Sequence, residues 1–159
     1  MAEPQEYLGI LEQEPENEQA LTALEELVTN GHGQKHGPEL ALALAEARRR
    51  HRERGELDIT LKLLDLELAL AKDPTVRADL LFEKGRVLED DVLDQAGALT
   101  CFQGALQANP EHADAQSALS NVEVFKGVWQ KLVKKYLDEA ASSTERQHTA
   151  ESYLNAAKL

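Results

Sequence analysis

The most constraining feature of this sequence is a proline that recurs every 36 residues, at Pro38, Pro74 and Pro110. Between successive prolines, apolar residues recur three or four positions apart, which places them on one face of an α-helix. A fixed interval of roughly 20 to 50 residues is typical of proteins built from stacked repeats. Because proline ends one helix and lets the next begin in a new direction, the interval predicts a repeated pair of helices.

Composition favours an all-α fold in a single domain. The chain has 159 residues, which is long enough to bury a continuous core. It is rich in Ala, Leu, Glu, Gln, Lys and Arg, the residues that form helices most readily. Aromatic residues make up 4% of the chain, and the sequence has no run of β-branched residues, so a sheet is not expected.

The residues between Thr75 and Pro110 carry the most specific pattern. Gly85, on the first predicted helix, is small enough to let the second helix approach closely. Phe102 lies on the second helix, where its ring would fill the gap between the two. The full pattern consists of Leu81, Gly85 and Leu88, then Ala98, Phe102 and Ala105, then Pro110. It resembles the tetratricopeptide repeat (TPR) family, with one extra residue in the turn between the helices.

The resemblance implies a TPR-like helix-turn-helix solenoid, with about nine antiparallel helices in a right-handed superhelical array. It is similar to a segment of a bacterial TPR scaffold protein, and residues 1–159 are expected to form one domain. The chain would open on a second helix and close on a first helix, as an excised piece of a longer array; capping helices and end-to-end dimerisation are the alternatives. The expected parts are partial repeat helices at 1–29, an irregular loop at 30–38, repeats at 39–74, 75–110 and 111–142, and a terminal helix at 143–159.

Two expectations concern the last repeat. Gly127 is expected to separate its two helices, because glycine disfavours a helix interior. Trp129 is expected in the core, because it falls on the same helical face as Leu132, Val133 and Tyr136.

The sequence contains no recognisable catalytic or metal-binding motif. His32 and His36 have the spacing of two metal ligands on a helix, but the glycines around them favour a loop. Cys101 is the single cysteine, and its place beside Phe102 on a core helix favours an inert thiol. The acidic residues between 89 and 94 lack the glycine and the closing glutamate of an EF-hand loop. We therefore expect a protein that is not an enzyme and holds no cofactor or metal.

The charge and hydropathy of the chain restrict its partners. A formal net charge of −12 argues against nucleic-acid binding, which needs a basic face. No stretch of about 18 apolar residues is present, so membrane insertion is not expected. The first residues lack the features of a signal peptide, which favours a cytoplasmic protein, bacterial by the resemblance. The one dense basic run, at 48–54, is interpreted as a solvated helix end that pairs with acidic neighbours; the alternative is a contact with an anion.

In TPR proteins the first helices of successive repeats line a concave groove that binds peptide segments. The resemblance therefore implies a partner that is a protein or peptide segment. Arginines in such a groove would hold a carboxylate, and an aromatic ring would supply an apolar anchor. The alternative is a structural scaffold segment that forms a homodimer through its exposed terminal helices. The expected groove residues are Arg49, Arg52, Asp79, Phe82, Arg86, Glu89, Asp114, Ser117, Asn121 and Val124.

Overall fold

The computed structural model describes residues 4–29, 37–142 and 146–158, and these residues confirm the all-α prediction. Eight α-helices and no β-strand are found among them. The residues divide into two compact units, Met1–Gln116 and Ser117–Leu159. The helices are α1 (Pro4–Gln13), α2 (Glu18–Thr29), α3 (Gly37–Glu53), α4 (Leu57–Leu70), α5 (Pro74–Val87), α6 (Gln95–Ala108), α7 (Ala113–Ser142) and α8 (Arg146–Ala157), with a π-helical turn (Leu88–Val92) between α5 and α6.

Local sequence signals explain where helices of the first unit begin. Asp73 precedes Pro74, and its carboxylate accepts hydrogen bonds from the backbone N–H groups of Thr75 and Val76 at 2.7 and 3.3 Å. This side chain satisfies N–H groups that the first turn of a helix leaves unpaired. Proline is well tolerated at the first helical position, because the N–H group that it lacks would have no partner within the helix. Asp94 does the same for α6. Pro38 and Pro74 therefore lie at helix starts, whereas Pro110 lies in the turn before α7.

The helices of the first unit pack as successive pairs. α1 packs against α2, α3 against α4, and α5 against α6; α1 also contacts α3, α2 contacts α4, and α4 contacts α5. The first two helices, expected to be partial repeat helices, contact each other. The buried apolar residues form two clusters: Leu8, Leu11, Ala20, Leu21, Leu24, Leu40, Leu44, Ala47, Ile59, Leu63 and Leu66 in one, and Ala78, Ala105 and Ala115 in the other.

The close approach of α5 and α6 at Gly85 is confirmed. A Cβ atom added to Gly85 would lie 2.5 Å from Cε1 of Phe102, a distance at which carbon atoms repel. The Phe102 ring is 1% exposed, so it occupies the space that the missing side chain leaves. The absence of a side chain at Gly85 is therefore what allows this helix pair to close.

The chain between α5 and α6 begins with the π-helical turn Leu88–Val92. A π-helix contains more residues per turn than an α-helix. The chain then reverses at Leu93, whose φ of 63° lies in the left-handed region. The N–H of Asp94 donates to the carbonyl oxygen of Leu88 at 2.8 Å, which closes the turn.

Three expectations for the remaining helices need correction. The predicted break at Gly127 is wrong, because this glycine lies inside α7, a continuous helix of 30 residues. One glycine destabilises a helix by only about 1 kcal/mol relative to alanine. Because of this continuity, the described residues contain eight helices where about nine were expected. Trp129 was predicted in the core and is 44% exposed, since periodicity selects a face without supplying a neighbour. Of the loop predicted at 30–38, residues 30–36 lie outside the described part, and Gly37 and Pro38 begin α3.

Candidate protein-interaction surface

The residues predicted to line a groove lie on several elements. Arg49 and Arg52 are on α3, and Asp79, Phe82 and Arg86 are on α5. Of the others, Glu89 is in the π-helical turn and Asp114 in the first turn of α7, both still in the first unit. The three that belong to the second unit are Ser117, Asn121 and Val124, all exposed.

Two of the predicted arginines already pair with carboxylates. Nη2 of Arg52 lies 2.9 Å from Oδ2 of Asp91, which links the end of α3 to the π-helical turn. Arg86 contacts Glu89 at 3.0 Å and Asp90 at 2.7 Å. These guanidinium groups are in contact with water, so each pair contributes at most about 1 kcal/mol. A carboxylate from a ligand can therefore replace the internal partner at little cost. Arg49 is exposed on the same helix as Arg52.

Phe82 belongs to a cluster that joins α5 to the start of α7. Its ring centroid lies 5.5 Å from that of Phe102 and 5.1 Å from that of His112. Nδ1 of His112 accepts the backbone N–H of Ala115 at 3.2 Å, so the ring proton resides on Nε2, which lies 3.2 Å from Oδ1 of Asp79. Phe82 is therefore half-buried, with only part of its ring available to a ligand.

The role of His112 was not predicted from the sequence. It takes the position before the first residue of α7 and caps that helix, although Ser, Thr, Asp and Asn are the usual residues there. Its side chain is 9% exposed. From the sequence alone, a histidine that caps a helix cannot be distinguished from a histidine that is exposed to solvent.

The basic run at 48–54 forms a set of internal ion pairs. Arg48 is buried, and its Nε donates to Oε1 of Glu67 on α4 at 2.6 Å. The same guanidinium group also bonds to Glu83 on α5. Burial raises the pKa of the Glu67 carboxyl, and the hydrogen bond from Arg48 opposes that rise. One buried cation therefore joins three helices. Arg50 pairs with Glu12 of α1.

A second group of charges surrounds the turn between α3 and α4. Nδ1 of the fully buried His51 lies 2.5 Å from Oε2 of Glu56, and Nε of Arg54 lies 3.1 Å from the same oxygen. The hydrogen bond with His51 is the main reason that the pKa of Glu56 lies below its usual range, with the positive charge of Arg54 contributing. Nε2 of His51 has no hydrogen-bond partner within the described residues. The turn itself uses Gly55, with a φ of 75°.

The residues weighed for chemistry have the following environments. Cys101 is half-buried, and burial raises the pKa of its thiol, so the neutral form prevails at neutral pH. No three His, Cys, Asp or Glu side chains are grouped to hold a metal ion in the part of the chain that the structure describes. His32 and His36 lie outside that part. None of the helices described is both long and apolar enough to cross a membrane.

The second unit presents large apolar side chains to solvent. Six of them are at least 43% exposed, whereas the large apolar residues of the first unit are mostly buried. On α7, Trp129, Val133 and Leu137 are four positions apart and lie along one side of the helix. Such contiguous apolar surface marks interaction sites more often than isolated exposed residues do. The exposed residues are Val124, Val128, Trp129, Leu137, Tyr153 and Leu154.

Comparison with known proteins gave no match: no family model, no curated protein and no solved structure is similar to this chain. The likeness to TPR proteins therefore depends on the residues between 75 and 110 and on the helix pairs described above.

Proposed function

We propose that this chain is a non-catalytic protein-binding module of the TPR-like type, which holds a segment of a partner protein in a groove formed by successive first helices. The contact between Gly85 and the ring of Phe102 carries the proposal, because it is the defining contact of the resembled helix pair. The ion pair between Arg48 and Glu83 supports it, since it connects α3 to α5. These are the first helices of two successive pairs.

The charge of the proposed surface selects a segment that carries a carboxylate. Arg49, Arg52 and Arg86 are cations in a protein whose net charge is −12. Guanidinium groups bind carboxylates through two parallel hydrogen bonds, which gives geometric selectivity as well as affinity. Asp91 and Glu89 occupy two of these groups in the free protein, so a ligand would displace them. The exposed part of the Phe82 ring would contact an apolar side chain of the same segment.

The test is a selection from a random peptide library on the full chain, followed by titration of the enriched peptides. Replacing Arg49 or Arg86 by glutamate should weaken binding at least about tenfold, which corresponds to 1.4 kcal/mol. Arg50→Glu is the matched control, because Arg50 is adjacent in sequence but turned toward Glu12 of α1. Helix content should not change. If no peptide is enriched, or if Arg49→Glu and Arg86→Glu bind as tightly as the parent chain, the groove assignment is wrong.

A second candidate function is self-association into a structural scaffold. The exposed apolar residues of the second unit favour it, since Tyr153 and Leu154 on α8 are 52% and 53% exposed. Sedimentation over a wide concentration range should then show a mass that rises with concentration, and removal of residues 145–159 should abolish that rise. A monomer at every concentration would exclude this candidate.

A further inference from the structure

A cavity of about 380 Å³ lies between α3, α4 and α5 in the first unit. The start of α3, the end of α4 and the first two turns of α5 line it. Sites that hold small molecules have volumes of roughly 300–1,000 Å³ and are lined mainly by apolar side chains. This cavity has both properties. Its apolar lining residues are Pro38, Ala41, Leu70, Ala71, Val76 and Leu80.

A buried group of charges adjoins the cavity. Glu67 lines the cavity from α4 and is 5% exposed. On α3, Ala41 and Arg48 are seven positions apart and share one face of the helix. On α5, Leu80 and Glu83 are three positions apart and are neighbours on the helix surface. Because Arg48 bonds to both Glu67 and Glu83, these three charged side chains lie next to the apolar lining.

The buried group carries one more negative charge than positive, because Glu67 and Glu83 share the single guanidinium of Arg48. Burial raises the pKa of the Glu67 carboxyl; the hydrogen bond from Arg48 opposes that rise, and the charge of Glu83 adds to it. Nη2 of Arg48 lies 3.5 Å from Oε2 of Glu67, longer than the roughly 2.7–2.9 Å of a charge-assisted hydrogen bond. Oε2 therefore has room for a further donor, and a cation is the charge that this group lacks.

We infer that this cavity binds a small organic cation, an alkylammonium ion whose apolar body lies between the three helices and whose ammonium group donates to Glu67. Removal of the ligand's carbon atoms from water supplies affinity, and the buried carboxylate selects a donor that carries a positive charge. The other charged residues that line the cavity, Lys72 and Asp73, are exposed and opposite in sign, so they do not change this selection. The cavity shares no residue with the groove proposed for a peptide segment, and the inference is independent of that function.

Three ligands of equal chain length test the inference: hexylammonium, hexanol and hexanoate, which differ in the charge at one end. Two-dimensional amide NMR of the full chain follows each titration at pH 7. Hexylammonium should shift the signals of Ala41, Leu70 and Val76 to saturation, with a dissociation constant at least about tenfold lower than that of hexanol. Hexanoate should not shift them. If hexylammonium leaves these signals unchanged, or if hexanol binds as tightly, the inference is overturned.

Two matched leucine substitutions locate the site. Ala41→Leu fills part of the cavity, whereas Ala69→Leu adds the same atoms at an exposed position of α4 that does not line it. The first should raise the dissociation constant for hexylammonium at least about tenfold, and the second should leave it within about twofold. Both variants must keep the parent helix content. Equal binding by the two variants overturns the location.

A third variant tests the excess negative charge. Glu83→Gln leaves Arg48 paired with Glu67 alone, so the buried group becomes neutral without any change in the lining of the cavity. The dissociation constant for hexylammonium should rise about three- to tenfold, while that for hexanol should not change. A purely structural effect would weaken the binding of both ligands alike. That result, or unchanged binding of hexylammonium, overturns the inference.

Discussion

The two units of this protein bury similar amphipathic patterns to very different extents. In the first unit the apolar faces of α1 to α6 form buried clusters. In the second unit Trp129 and Leu137 on α7 and Tyr153 and Leu154 on α8 are exposed. Among the described residues of that unit, Ala140 is the one apolar residue that is buried. The helical periodicity is present in both. Periodicity therefore specifies which face is apolar, whereas burial requires a neighbouring helix, and an uncovered face is where a partner is expected.

The units also differ in their charges. Arg48 and Glu67 are buried in the first unit and join its helices. In the second unit the ion pair between Lys135 and Glu139 lies within one helix and is exposed. Buried charges fix the relative positions of the elements that they connect, because an alternative packing would leave them unpaired. Exposed pairs impose no such constraint.

Removal of Arg48 should produce the largest effect. Arg48→Leu leaves Glu67 buried without its main partner, and we expect a loss of about 3–5 kcal/mol in the free energy of unfolding. Urea denaturation followed by circular dichroism measures this loss. The same substitution at Arg50, whose ion pair is exposed, should cost less than about 1 kcal/mol.

A double substitution distinguishes the loss of a charge pair from the loss of packing. Arg48→Met with Glu67→Leu removes both buried charges, and it should recover most of the stability that Arg48→Leu loses. If Arg48→Leu costs no more than the control at Arg50, buried charge does not distinguish the first unit, and the contrast between the units reduces to apolar burial.

The contact at Gly85 should produce the next largest effect. Gly85→Ala places a Cβ atom 2.5 Å from the Phe102 ring, and the resulting shift of α6 should cost about 1–3 kcal/mol despite the better helix propensity of alanine. Gly104→Ala is the matched control on α6, because its Cβ would lie 3.4 Å from Leu81, an ordinary contact. That variant should be as stable as the parent chain or up to about 1 kcal/mol more stable. Equal effects at the two glycines would contradict the close approach.

Much of the first unit could be predicted from the sequence because its signals are local. Pro74 lies at the start of α5, which Asp73 caps through its own backbone neighbours. The contact of Gly85 with Phe102 followed from helical spacing within one pair. The π-helical turn after α5 was not predicted, because it depends on how the last turn of that helix relaxes.

Features that depend on distant neighbours could not be predicted. The sequence at 48–54 showed that cations were present, but the carboxylates that Arg48 meets are decided by packing with residues 19 and 35 positions away. Trp129 shares a helical face with apolar residues, and nothing in that pattern says whether another element covers the face. The groove residues, the TPR likeness and the partner remain proposals for the experiments above.

The second unit should respond to helix propensity rather than to tertiary packing. Nothing lies within 4 Å of the position that a Cβ atom of Gly127 would take, so Gly127→Ala should stabilise the middle of α7 by up to about 1 kcal/mol. Amide hydrogen exchange across α7 measures this gain. Gly9→Ala in α1 is the control, since that position is equally open. If exchange at Gly127 does not slow while it slows at Gly9, α7 is divided at Gly127, as the sequence first indicated.

The smallest effect is expected from a pH titration of the turn between α3 and α4. The pKa of Glu56 is lowered in the folded protein, mainly by its hydrogen bond with His51. The folded state therefore releases this proton more readily than the unfolded state. Its contribution to stability is present above the usual glutamate pKa of about 4.3 and is lost as the pH falls through the lowered value. Glu56→Gln should destabilise the protein at pH 7, and this difference should shrink progressively below about pH 4.3.

Unfolding curves for the parent chain and Glu56→Gln at pH 7 and at pH 3 measure this effect, with Glu53→Gln as an exposed neighbouring control. A difference that is the same at both pH values would mean that the charge of Glu56 contributes nothing, and that hydrogen bonding or packing alone holds the turn. A difference that shrinks would show that even a carboxylate near solvent helps to join two helices of the first unit. The ion pair between Lys135 and Glu139 lies within a single helix and joins no two helices, so the two units would then differ in the role of this kind of charge as well as in apolar burial.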